Sequence, residues 1–421
     1  MSETRPRVLW LSNGLLESVD RGVTGTWLHA MADGLLKAGR IELGNITAGK
    51  VSELTRSDAD GASQWIVPAA KNLGKDGLPD GKVVAAYLSA ISEFNPDLIH
   101  VWGAETFPGL LTARGFVKCL ALLEMQGLKG PLAQLYHGEL TLREQLKCIG
   151  PKEIIRRSTI AQQSASFRKW GVFEQEMMRK HRFITAPSPW MAAHARAANP
   201  AARLFQNEIP LRKALFSCLP WTFTGAPIIF CSSSHPLPYK GLHTVIRAAK
   251  ALRNHFPNIR VRIAGAHQAD GFRRSGYVRW LNNEIRRHGL EPNIRWLGSI
   301  DSEQLCEELT RASLAVFPSY AESYGVAHAE AMTIGVPTVC AFNGGSTYLA
   351  ENRKSALFFP AGDHVVCASQ IKELIERRDL AEALGQAART VALRRHDLTT
   401  IVDRQLQIYE ECIRDSATPP V

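Results

Sequence analysis

Short apolar runs alternate along this chain with longer stretches of helical period. Residues 8–11 form the first run, and a polar, glycine-bearing stretch over 12–26 follows it. Residues 27–38 then carry apolar side chains at helical spacing and stop at Gly39, a helix-ending residue. Residues 97–102 (DLIHVW), 132–137 and 183–186 read as further strands, and 142–182 as mostly helical. A second series begins after Pro220, with strands at 228–232, 260–264, 294–297, 314–317 and 338–341. Helices at 243–254, 276–288, 302–311 and 327–333 separate them, and Ser302 reads as an N-cap. Helices at 367–378, 380–394 and 398–414 follow, and 415–421 reads as a frayed tail.

Strands alternating with helices predict parallel sheets covered on both faces. Two such series predict an α/β fold of two Rossmann-like domains facing each other across a cleft. Periodicity is lost over 207–223, which marks the linker. The expected divisions are 1–214, 215–395, and a helix within 396–421 that packs back on the first domain. A chain of 421 residues exceeds what one core usually organises. Ligands of such sheets lie beyond the carboxyl ends of the strands, so chemistry is expected in strand-to-helix loops.

Hydrophobic content of 45% and charged content of 21% are those of a globular protein. Residues 1–7 are polar and resemble no leader, and no apolar stretch reaches the roughly 18–20 residues of a membrane span. A cytoplasmic protein is expected. Eight cysteines without a C-x-x-C pair disfavour zinc and disulfide frameworks and suggest buried free thiols. The net charge of +10 is uneven: residues 141–182 hold ten Lys/Arg against four Glu. That stretch suits either a solvated helical face or peripheral contact with an anionic membrane or acidic acceptor. No known nucleic-acid module is visible.

The densest chemistry lies at 317–330, FPSYAESYGVAHAE. A strand ends at Phe317, a loop carries Glu322, and Gly325 opens a helix bearing Glu330. A helix N-terminus binds phosphate with free N–H groups, and glycine lets the ligand approach closely. A carboxylate at Glu330 can accept hydrogen bonds from the vicinal hydroxyls of a ribose.

The Glu-x7-Glu spacing of Glu322 and Glu330, with AMTIGVPTVCAFNGGSTYL after it, resembles retaining glycosyltransferases of family four, which have the GT-B fold. The resemblance covers roughly 228–363. It implies that Glu322 lies by the donor sugar and Glu330 holds the ribose. The backbone of Ser323, Tyr324, Gly325 and Val326 would face sugar and diphosphate. The segment SSSHPLPYKGLHTVIRAA resembles the family's lysine element, so Lys240 would neutralise the diphosphate. The family's arginine about five residues earlier is absent; Ser232, Ser233, Ser234 and His235 stand there.

The first half matches more weakly. Gly22 and Gly25 resemble a glycine loop near the donor phosphate, and His137 a histidine by the donor sugar. Gly265 and Leu297 match strand ends that read the base through backbone groups. His100 reads as packing, Glu105 as an acceptor contact and Asn207 as structural. Asp58-Ala-Asp60 is a D-x-D tripeptide in a polar stretch and reads as a loop, so no essential metal is expected.

The expected reaction transfers a sugar from a UDP- or GDP-sugar, with no further cofactor, to a glycan or lipid-linked acceptor with retained configuration. Two alternatives are a catalytically inactive nucleotide-sugar-binding partner and a sugar-nucleotide epimerase.

Overall fold

The computed structural model describes residues 5–16, 26–59, 61–265 and 275–416. Eight strands form the first sheet: β1 (Arg7–Leu11), β2 (Glu42–Gly49), β3 (Thr55–Ala59), β4 (Ala62–Pro68), β5 (Leu98–Trp102), β6 (Leu120–Glu124), β7 (Phe183–Thr185) and β8 (Arg203–Phe205). Their order is β3-β4-β2-β1-β5-β6-β7-β8. Only β3 runs antiparallel, on β4. The second sheet holds β9 (Ile228–Ser232), β10 (Arg260–Ala264), β11 (Ile294–Gly298), β12 (Leu314–Phe317), β13 (Thr338–Ala341) and β14 (Leu357–Phe359). It is parallel throughout, in the order β11-β10-β9-β12-β13-β14.

Strands β5, β12 and β13 are buried along their whole length, because helices cover both faces of each sheet. Strand order reverses between β1 and β5 in the first sheet and between β9 and β12 in the second. Each reversal leaves a crevice at the carboxyl ends of the strands. The two crevices face each other.

The helix Leu398–Ser416 returns to the first domain. There the Tyr409 hydroxyl meets Trp10 Nε1 of β1 at 3.0 Å and His100 Nδ1 of β5 at 2.8 Å. Arg203 of β8 pairs with Glu411 and Asp415. The helix therefore runs on through Asp415 to Ser416, where a frayed tail is expected; residues 417–421 lie outside the described residues.

Other expectations are corrected. Residues 132–137 are not a strand; the helix Lys129–Leu135 occupies that stretch, and the strand of the region is β6. Glu174 fixes this helix by accepting from Lys129 N at 2.7 Å and Gly130 N at 2.8 Å. Gly130 then lies directly on Gly171 of the helix Ile160–Lys180, an approach that only two glycines allow. Asp301, not Ser302, caps the helix Ser302–Arg311, accepting from Gln304 N at 2.8 Å. Asp58 lies in edge strand β3 beside Arg56, not in a loop; Asp60 lies outside the described residues. Cys218 and Cys306 form a disulfide with Cα atoms 6.1 Å apart, where none was expected. Among the described residues no helix is long and apolar enough to cross a membrane.

Candidate active site

The cleft between the domains encloses about 550 Å³. Its walls come from loops after β5 and β6 on one side and β9 and β12 on the other. The chain beyond β12 passes through Glu322 to Gly325, whose φ of 100° suits glycine, and into the helix Val326–Ile334. Gly325, Val326 and Ala327 all line the cleft, so the free N–H end of this helix lies in its wall. Gly345 N donates to Glu322 O at 2.8 Å and holds the loop.

Lys240 ends the short turn Pro238–Lys240 after β9. Gly241 follows with φ 71°, and any Cβ there would collide with the Pro318 carbonyl. The lysine turn thereby seats itself under the end of β12. Lys240 Nζ lies 2.7 Å from Glu322 Oε1. Burial alone would lower the Lys240 pKa; the adjacent Glu322 carboxylate outweighs it, and the net direction is upward. The positive charge is secured.

Glu330 is buried about one turn into this helix and pairs with Arg212 Nε at 2.9 Å. Burial raises its pKa, and the guanidinium opposes that shift. Arg212 Nη1 has no hydrogen-bond partner. Tyr324 OH donates to Glu208 Oε2 at 2.6 Å, and Ser188 Oγ donates to Ser323 O at 2.6 Å. Both bonds join the second-domain loop to the first domain or linker.

On the opposite wall, Glu105 follows β5 and Lys129 opens a helix. Burial pushes the Glu105 carboxyl up to about 7, with Glu174 adding to the rise and Lys129 offsetting part of it. Glu105 Oε2 is buried without a hydrogen-bond partner.

Glu322, Ser323, Tyr324, Gly325, Val326, Glu330 and Lys240 thus meet around one cavity. His137 does not join them. It is exposed in the turn after the helix Lys129–Leu135, and its Nδ1 accepts from Glu139 N at 3.0 Å. Gly265 and Leu297 are not in the cavity wall. Gly265, at φ 131°, packs its backbone against Ser233 O and so supports the serine loop that does line it. Leu297 packs partly buried against the second core. His100 is fully buried, and burial holds its pKa down at about 3, leaving a neutral packing residue. Asn207 donates to Ile401 O and Gln405 Oε1 at 3.1 and 3.0 Å and ties the linker to the returning helix. Gly22 and Gly25 lie outside the described residues.

The pattern missed Arg212, Glu208 and Lys129. The one trace in the sequence was negative: the arginine that the resemblance implies before Lys240 is absent.

Residues 221–391 match the family model of glycosyl transferases group 1. The match runs from the linker, through the second sheet, into the helix Arg378–Arg395. The glycogen synthase of Mycobacterium tuberculosis is 27% identical over 180 residues, 43% of this chain and 42% of that one. The chain thus spans about two-fifths of that relative's length. Sucrose-phosphate synthase from Thermosynechococcus elongatus superposes with a TM-score of 0.75 at 16% identity, over 98% of this chain and 100% of that one. HepE of Anabaena, in complex with UDP and glucose, gives 0.68 at 16% identity, over 96% and 100%. The fold is GT-B, and the stretch that matches the group 1 model carries Lys240, Glu322 and Glu330.

Proposed function

We propose that this chain is a glycosyltransferase of the hexosyltransferase kind. It moves a sugar from a UDP- or GDP-sugar to a glycan acceptor, lipid-linked or part of a surface polysaccharide, with retained anomeric configuration and without an essential metal. The observation that carries the reading is the pairing of Lys240 with Glu322, and of Arg212 with Glu330, beside one helix N-terminus in a GT-B cleft. A nucleotide diphosphate-sugar offers a partner to each. Its diphosphate suits Lys240 and the free N–H groups at Gly325–Ala327. Its ribose hydroxyls suit Glu330.

In this reading the bond between the anomeric carbon and the diphosphate oxygen breaks as negative charge gathers on the diphosphate. Lys240 and the helix end are aimed at that charge, so they act more strongly on the transition state than on the bound donor. The acceptor hydroxyl attacks from the face the leaving group vacates, and its proton passes to a departing phosphate oxygen. Arg212 takes the place of the missing loop arginine. His137 has no part in this step, since it lies outside the cavity. HepE in complex with UDP and glucose, on the same fold, supports the donor class.

Thermal unfolding with UDP-, GDP-, ADP- and TDP-sugars in EDTA tests this. A donor at 100 times its Kd adds about 2.7 kcal/mol, a shift of a few degrees in a chain of this length. The shift is expected in the wild type and absent in Glu330→Ala. No shift with any donor, with or without metal, would sink the reading. Donor turnover that requires acceptor separates transfer from epimerisation and from inert binding.

A further inference from the structure

Of the twelve large apolar side chains exposed among the described residues, five lie in residues 142–155. Leu142, Leu146, Ile154 and Ile155 are 79%, 66%, 66% and 81% exposed, and Ile149 is 37% exposed. They ride on two short helices, Leu142–Lys147 and Pro151–Ile155, inserted between the helix Lys129–Leu135 and the helix Ile160–Lys180. Single exposed leucines are ordinary; a cluster on one small element marks an interaction surface.

The charges on the same element are sorted by side. Its two carboxylates both turn toward the second domain. Glu144 accepts from Arg247 Nη2 at 2.7 Å, and Glu153 is buried, accepting from Gly276 N at 2.9 Å and Gly150 N at 3.1 Å. Arg143, Lys147, Arg156 and Arg157 remain exposed among the leucines and isoleucines. The outer face is therefore apolar and basic, with no carboxylate of its own.

We infer that this face docks on an anionic lipid surface, with Leu142, Leu146, Ile154 and Ile155 entering the interface and the four cations lying at the headgroups. Leucine and isoleucine flanked by Lys and Arg match the two layers of such a surface, apolar below and anionic above. A second copy of the same face would bring cation against cation. Nucleic acid would find no aromatic platform among these residues.

The placement has a use that rests on the glycosyltransferase reading. Lys129 and Leu132, just before the element, and Phe167, just after it, line the cleft. Docking by this face would hold a lipid-linked acceptor beside the domain that supplies this wall of the cleft.

Sedimentation with phosphatidylcholine vesicles, with and without phosphatidylglycerol, tests the face directly. The wild type is expected to bind only the anionic vesicles and to release at molar salt, where screening falls within about 3 Å. Arg156→Ala/Arg157→Ala weakens binding about fivefold per residue, and Ile154→Ser/Ile155→Ser about tenfold per side chain. Val365→Ser, an exposed apolar residue elsewhere, leaves it unchanged. Absence of binding, equal binding to neutral vesicles, or indifference to the isoleucine change would overturn the inference. So would a solution dimer of the wild type that the serine variant dissolves. The donor-induced thermal shift is read on the same variants and is expected to stay at the wild-type value. Lost vesicle binding with an intact donor shift isolates the face; vesicle binding without any donor shift overturns the donor reading instead.

Discussion

Both cations of the donor wall already hold a carboxylate, Lys240 on Glu322 and Arg212 on Glu330. On the proposed function each pair would exchange partners with the diphosphate and the ribose of the donor; without ligand the charges within each pair neutralise each other. Lys240→Ala is expected to lower kcat by about 10²–10³, the loss typical of one donor aimed at developing charge; single-turnover kinetics read it. Arg212→Ala strands the Glu330 carboxylate, whose side chain is 7% exposed, and is expected to cost about 3 kcal/mol in urea unfolding. Glu105 sets a pH dependence. Its folded pKa of about 7 lies above the ordinary 4.5, so the folded state keeps a proton that the unfolded chain releases. Stability therefore falls as pH rises from about 4.5 to about 7, and Glu174, held up at about 6 by burial, adds to the fall. Glu105→Gln is expected to raise Tm by a few degrees above that window and to give no gain below it. At this scale legibility follows locality. Glu322 and Glu330 share one loop and one helix, and Lys240 belongs to one turn, so spacing reveals them. Arg212 and Lys129 reach the cavity only through the crossing of distant segments, which no local pattern records. His137 fails for the converse reason: its neighbours along the chain resemble a site, but the turn after its helix leaves it in solvent.

Elements with continuous apolar runs were readable. The strands β9, β10 and β12 stand where the pattern puts them, and the helix Thr26–Ala38 stops before Gly39 at φ 64°. Elements that bury polar groups were not. β2 (ELGNITAG) carries Asn45 and Thr47 inward, and Asn45 is satisfied by partners far along the chain: Ser12 Oγ lies 2.7 Å from Asn45 Oδ1, and Gln64 Oε1 lies 3.1 Å from its Nδ2. The helix Lys129–Leu135 was misread because its ordering forces, the Glu174 cap and the Gly130–Gly171 approach, are tertiary. The helix Leu398–Ser416 is pinned to both central strands of the first sheet by one hydroxyl. Tyr409→Phe removes the partner of Trp10 Nε1 and of His100 Nδ1 together. A loss of about 1–3 kcal/mol for each stranded group is expected, read by denaturant unfolding.

Bonds that join the two domains include Ser188 to Ser323, Tyr324 to Glu208, Arg247 to Glu144 and Gly276 to Glu153. All lie near the cleft or the inserted helices, so any change in the angle between the domains must preserve or exchange them. The chain crosses between the two sheets twice, between β8 and β9 and again between the helix Arg378–Arg395 and the helix Leu398–Ser416. Deleting 398–421 is expected to uncover Trp10 and His100 and to split one calorimetric transition into two, the first domain melting earlier. The two-domain plan was legible because each half repeats its own strand–helix alternation. The cleft was expected between the halves, but the pairing of Arg212 with Glu330 in its wall was not, because it joins distant segments.

Seen from the ribosome, that double crossing orders events in time. The second sheet is spelled out between two parts of its neighbour, as an insertion within it. Residues 221–391 can close their own sheet as soon as they emerge, but the first-made sheet keeps Trp10 and His100 without their hydroxyl until residues 398–416 are synthesised. The portion translated first is therefore the portion that finishes last.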